Sequence, residues 1–304
     1  VYARKAGILL DRVADLYPEF DFAEQGWLYE RKPDLGYVTN WHDACREVTQ
    51  MANAYDQVRP ALLEDSEFVT FVQNQASKYQ LPFVKDTAED IATHIEDRIF
   101  RDTQQNVHKI KSNFPGQEIA LITMEAVLQR TLQTGPIQQM VDAMLSEAVA
   151  VDDVTGEKGL ENYSAIVLHY LANFLAALER MSPGYLAEQI ARHPGLARTY
   201  RFHIDTWCLE RFYPSIGDSG NFATEAPEYR GLPFVREVSL QASAFSLAWK
   251  LYELTGDADY ARILYLANER SFDGLPYEMT ESNPGSFQAA LRRAIDTHRD
   301  KITP

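Results

Sequence analysis

A chain of 304 residues, 45% of them apolar and 12% aromatic, can bury a large core as one big domain or two ordinary ones. Its 44 acidic and 29 basic side chains leave a net charge of −15, a field that repels nucleic acid and anionic membranes at long range and argues against either as a partner. No apolar stretch approaches the roughly 18–20 residues needed to span a bilayer, so no membrane segment is expected.

The elements follow in order. Residues 2–17 are predicted to form a helix with Leu9, Val13, Leu16 and Tyr17 on its apolar face, closed by Tyr17-Pro18. These first residues do not read as a signal peptide, and without an initiator Met the sequence reads as trimmed. Residues 21–40 form a long loop carrying Trp27, Tyr29 and Tyr37. Asn40 then caps a helix from Trp41 to about Val58, broken by Pro60. Asp65 or Ser66 opens a helix bearing Phe68, Phe71 and Val72. Asp86 or Thr87 opens a longer one reaching about Ser112, with the Asp86–Asp90 and Glu96–Arg101 charges on its solvated face.

Asn113-Phe-Pro-Gly-Gln117 interrupts the chain before a helix through Leu121, Met124, Leu128 and Leu132, and Gly135-Pro136 precedes the next. After a loop at 151–159, the residues Val167, Leu171, Phe174, Leu175 and Leu178 trace an apolar face. A short helix lies between Ser182-Pro183-Gly184 and His193-Pro194-Gly195. The run 196–213 reads as helix to Tyr213, where Pro214 ends it, and 214–236 as a second long loop. Helices resume at 237–254 and 258–271 around Thr255-Gly256-Asp257, and a last one opens near Ser286. The class is all-α. Tyr2-Ala-Arg and Tyr260-Ala-Arg open similar amphipathic helices, and helix pairs repeated in this way stack into a solenoid or close into a ring. An α/α toroid is preferred to an open array, since no period of ~34 residues can be traced.

Tyr213, at the mouth of a helix with Asp218 between glycines beyond it, can keep its ring packed and turn its hydroxyl to a cleft; a buried tyrosine bonded to a loop carbonyl is the plainer reading. His203 falls ten residues earlier, nearly three turns back along the same helix and beneath the tyrosine, where it is a structural histidine or a substrate contact. Asn113 and Gln117 either touch substrate or tie down backbone at a helix break. Trp41, Tyr29 and Tyr37 can stack on sugar rings, whereas Trp207 suits a core. His42 has no second ligand at metal spacing, and no metal or other cofactor is expected. Cys45 and Cys208, far apart in helical runs, read as buried free thiols. No phosphate-binding loop, dinucleotide fingerprint or nucleophile elbow is present.

Five stretches, Leu10-Asp-Arg-Val-Ala-Asp-Leu-Tyr-Pro-Glu-Phe-Asp21, Ala54-Tyr-Asp56, Ser112-Asn-Phe-Pro-Gly-Gln117, Phe212-Tyr-Pro-Ser-Ile-Gly-Asp-Ser-Gly220 and Leu254-Thr-Gly-Asp-Ala-Asp-Tyr-Ala-Arg262, together resemble the helical domain of heparinase II/III-like proteins. The likeness spans nearly the whole chain. It implies a single α/α-toroid domain over 1–304, an incomplete ring, with the family's antiparallel β-sandwich supplied in cis by a longer protein. It also implies β-elimination on acidic, uronic-acid polysaccharides and a periplasmic or extracellular address.

Such chemistry must neutralise the uronate carboxylate, remove the C5 proton and protonate the leaving oxygen. Carried over by the resemblance, Tyr213 is the Brønsted acid or base, and Glu161 with Asn162 faces the uronate carboxylate. Helix capping is an equal reading of Glu161 and Asn162. Three residues before Glu161, where the family has a histidine, stands Lys158. It can neutralise a uronate, act as a base, or mark the loss of elimination chemistry. Two other classes stay open: a toroid glycoside hydrolase using Glu161 and Asp218, and a non-catalytic glycan-binding domain.

Overall fold

The computed structural model describes residues 1–22, 36–39, 41–153, 163–210, 212–214, 217, 242–273 and 284–299. Among them the chain is all-α. No β-strand forms, and Cys208 pairs with Phe212 as an isolated antiparallel bridge. No described helix is long and apolar enough to cross a membrane. Contacts gather into two units, Val1–Val141 and Asp142–Pro304.

In the first unit, α1 (Tyr2–Ala14) turns Gly7, Leu10, Asp11 and Ala14 inward, the spacing of one helical face. The expected face is therefore wrong by about one residue: Leu9 is 67% exposed and Leu16 is exposed too, while Tyr17 is buried in a short 3-10 turn, Tyr17–Glu19, that contains Pro18. The true face carries an aspartate, which disguises it. Gly7 is where the next helix comes close. A Cβ there would lie 2.6 Å from both methyls of Leu62 and 3.1 Å from the Phe68 ring. Leu62 belongs to the last turn of α2 (Trp41–Leu63), which runs through Pro60 instead of breaking at it. Proline removes one backbone donor, but burial of Leu62 in the core holds the turn beyond it.

The Asp65 carboxylate accepts from Phe68 N at 3.0 Å and opens α3 (Ser66–Tyr79). Thr87 and Asp90 form a reciprocal capping box that opens α4 (Ala88–Ile95). Both starts match the sequence. Instead of continuing as one helix, the chain widens to a π-helix, Glu96–Arg101, then passes through α5 (Asp102–Gln105) and a 3-10 turn, Val107–Ile110. Glu96, expected in solvent, is buried with Ile99 and Phe100. α6 (Gly116–Gln129) closes the unit against α2, with Met124 in the core.

The boundary between the units falls within α7 (Gly135–Ala148). In the second unit α8 (Tyr163–Met181) buries Val167, Leu171, Phe174, Leu175 and Leu178, as its periodicity predicts. It packs on α9 (Tyr185–Arg192) and on α11 (Ala242–Thr255), which packs on α12 (Ala258–Ala267), and α12 in turn on α13 (Pro284–Thr297). α10 (Gly195–Asp205) lies against α12: Arg201 reaches Asp257 at 2.5 Å and Asp259 at 2.6 Å at the α12 start, where Asp257 is the cap. Cys45 is buried, and burial pushes its thiol up to about 12; Cys208, expected inside, is exposed.

A helical Gly→Ala change ordinarily stabilises by about 1 kcal/mol. At Gly7 the added methyl meets Leu62, so G7A is expected to lose about 1–3 kcal/mol in urea unfolding. In a Leu62→Ala background the same substitution should become stabilising.

Candidate functional site

The residues leading to Tyr213 do not form the expected helix. α10 stops at Asp205, and the chain then reverses: Cys208 N donates to Phe212 O at 2.7 Å and Phe212 N to Cys208 O at 3.0 Å. Leu209 and Glu210, inside this turn, have φ of 54° and 53°, left-handed backbone that costs a non-glycine residue roughly 1–2 kcal/mol. Two cations face the turn: the Glu210 carboxylate is held by Arg262 and, at 3.1 Å, by Arg270.

The reversal lays the Tyr213 ring against His203, with ring centroids 4.8 Å apart and the phenol oxygen 3.3 Å from Nδ1. The two residues meet because the chain folds back, not because a helix stacks them. His203 is 1% exposed and Tyr213 4%. His203, read from the sequence as a structural histidine or a substrate contact, is nearly enclosed and stands against the phenol. The pair can exchange a proton. With the imidazole proton on Nε2, the phenol donates to Nδ1; with it on Nδ1, the phenol oxygen accepts.

Other phenols nearby are committed to the backbone. Tyr200 donates to Leu168 O and Tyr260 to Ala197 O, each at 2.8 Å, and burial raises both above the ordinary phenol range. A half-buried second pair, Tyr252 Oη and His298 Nε2, stands 3.3 Å apart.

The remaining candidates separate. Tyr37, expected to stack on sugar, is a core residue only 1% exposed; its ring stacks on Tyr17 at 4.2 Å and its hydroxyl donates to Asp102 at 2.7 Å. Burial and that carboxylate raise its phenol pKa. Gln117 Nε2 donates to Val107 O at 3.4 Å, the backbone-tying role, while Asn113 is exposed. Trp207 is buried, as expected. Lys158, Glu161, Asn162 and Asp218 lie outside the described residues, as do Trp27, Tyr29 and Asn40, and so do the side chains of Trp41 and His42.

Sequence reasoning passed over a second cluster, in the first unit. Asp11 and Asp15, one turn apart, receive the Lys85 ammonium at 2.7 and 2.6 Å, and His94 Nε2 donates to Asp15 at 3.2 Å. All four side chains are buried. The signal was available: ionisable residues on otherwise apolar helix faces, Asp11 beside Leu10 and Ala14, His94 between Ile91 and Ile95. His94 borders a cavity of about 410 Å³ lined also by Phe83, Asp97 and Arg98.

The donor atoms of Asp11, Asp15 and His94 lie within 4.8 Å of one another, a spacing open to a metal ion. Lys85 is nevertheless the cation that both carboxylates bind. Burial raises the Asp11 pKa despite the Lys85 contact. Burial also acts to raise Asp15, but hydrogen bonds from His94, Lys85 and Arg12 outweigh it and hold that carboxyl at about 2.

No family model matches the chain, and no curated protein or solved structure matches it.

Removing Lys85 strands two carboxylates, so Lys85→Met is expected to cost about 3–5 kcal/mol at neutral pH. The variant should regain stability as acid protonates them. In the wild type the contribution of depressed Asp15 runs the other way, against that of raised Asp11: it is complete above the unfolded carboxyl pKa of about 4 and is lost as pH falls through about 2. Chemical unfolding across this range separates the two profiles.

Proposed function

We propose that this chain is the helical portion of a polysaccharide lyase of the heparinase II/III-like kind, an incomplete α/α toroid cleaving uronic-acid glycans by β-elimination. The observation that supports the reading is the Tyr213–His203 couple, a phenol held 3.3 Å from an imidazole nitrogen in the stretch that resembles the family's catalytic-tyrosine motif. In this reading Tyr213 protonates the departing glycosidic oxygen or removes the C5 proton. His203 is the positioning residue: it fixes the phenol and takes up or returns its proton. Glu161 and Asn162 bind the uronate carboxylate, with Lys158 in the place of the missing histidine. A β-sandwich domain in cis completes the site.

A second reading is favoured by one observation. Tyr213 and His203 are almost wholly enclosed, as suits a helical domain that binds glycan without turning it over.

Incubation with polyuronates, followed by the ultraviolet absorbance of the unsaturated product, separates the two. With the β-sandwich region attached, wild type is expected to form unsaturated ends and Tyr213→Phe to lose about 10²–10⁴-fold in rate. Equal rates in both remove Tyr213 from the mechanism. Binding without product in either selects the second reading, and saturated reducing ends point to hydrolysis.

A further inference from the structure

Glu96, at the start of the π-helix, is 5% exposed and heavily subscribed. Tyr55 donates its hydroxyl to Oε1 at 2.7 Å, Arg130 Nη2 donates to the same oxygen at 3.1 Å, and Arg101 Nη2 to Oε2 at 3.4 Å. Arg59 Nε lies 3.5 Å from Oε1 as an ion pair, yet this buried nitrogen has no hydrogen-bond partner. Three guanidinium groups from α2, the π-helix and the end of α6 thus converge on one carboxylate. Asp97 pairs with the other amino group of Arg101, which leaves the cluster one positive charge in surplus, three cations against two anions.

The outward edges of this cluster reach solvent, since Arg101 and Arg130 are 43% and 52% exposed. Each guanidinium offers five donors in a planar fork, more than Glu96 and Asp97 use. Arg130 also sits in left-handed backbone, φ 55°, at the end of α6, where glycine is less strained. Surplus forked donors at a solvent-facing rim suit a planar or tetrahedral oxyanion bound bidentately.

We propose that Arg59, Arg101 and Arg130, organised by Glu96, form an oxyanion site that takes the carboxylate or sulfate groups of an acidic glycan. The choice of a glycan as bearer rests on the function proposed above; the oxyanion chemistry does not. Such a site gives a chain of net charge −15 a local hold on a polyanion that the rest of its surface repels.

Titration calorimetry on the full chain carrying Tyr213→Phe tests it without turnover, so failure of the lyase reading leaves this result untouched. The probes are an alginate oligosaccharide, which bears carboxylates alone, a heparin oligosaccharide, which bears sulfates as well, and sodium sulfate as competitor. At least one oligosaccharide is expected to bind, more weakly as salt rises, and sulfate to displace it. Alginate binding supports the carboxylate as the group recognised, and heparin binding without alginate binding supports the sulfate. The double variant Arg101→Gln, Arg130→Gln should weaken affinity by about tenfold or more, while Glu96→Gln, which frees the arginines, should tighten it. Thermal melts check that each variant is folded. Should Glu96→Gln fail to fold, single Arg101→Gln and Arg130→Gln variants, each retaining two arginines at Glu96, decide the matter. Unchanged affinity in the folded arginine variants, or no binding of either oligosaccharide, overturns the proposal.

Discussion

Two ionised carboxylates one turn apart are costly to pack against a helical core without a buried cation, and Lys85 is that cation. It comes from the non-helical connector between α3 and α4. The contact therefore fixes α1, the connector and α4 in a single arrangement. His94 and Arg12 add donors to Asp15, and Arg98 donates to Ala14 O and to Glu19 while stacking on Phe83 at 4.7 Å. The end of α1 is thus bound by polar contacts where its apolar stripe is thin. Its Gly7 face follows from the same register, which is why Leu62 can approach so closely.

Local chemistry announced itself well. Asp65 and Thr87 begin helices where capping predicts, and α8 buries the face its spacing marks. What escaped detection broke a local rule for a tertiary reason. The inner face of α1 includes Asp11, so the polarity pattern pointed elsewhere. Glu96, four residues after buried Ala92, continues the inner face of α4, although its charge reads as solvent-facing. The run after Asp205 stays aromatic and apolar, yet it turns back through left-handed Leu209 and Glu210, which no glycine foretells. Tyr213 and His203 were recognisable as residues, but their contact arises from a reversal that helical arithmetic could not supply. Asp11, Lys85 and His94 were overlooked because charged residues are usually assigned to solvent.

Four of the other buried tyrosines place Tyr213 in context. Tyr37 and Tyr55 give their protons to carboxylates, and Tyr200 and Tyr260 to backbone carbonyls. These acceptors hold a phenol in its protonated form and in one orientation. An imidazole nitrogen can also carry the proton away, which makes the Tyr213 environment chemically different from the other four.

The turn that delivers Tyr213 is tethered from outside. Glu210 connects it to Arg262 in α12 and to Arg270 just beyond that helix, and Arg270 is largely exposed. Mobile ions screen such contacts, most strongly at the exposed partner. Ionic strength thereby acts on the outer tether of a turn whose inner end carries a phenol–imidazole contact that solvent barely touches.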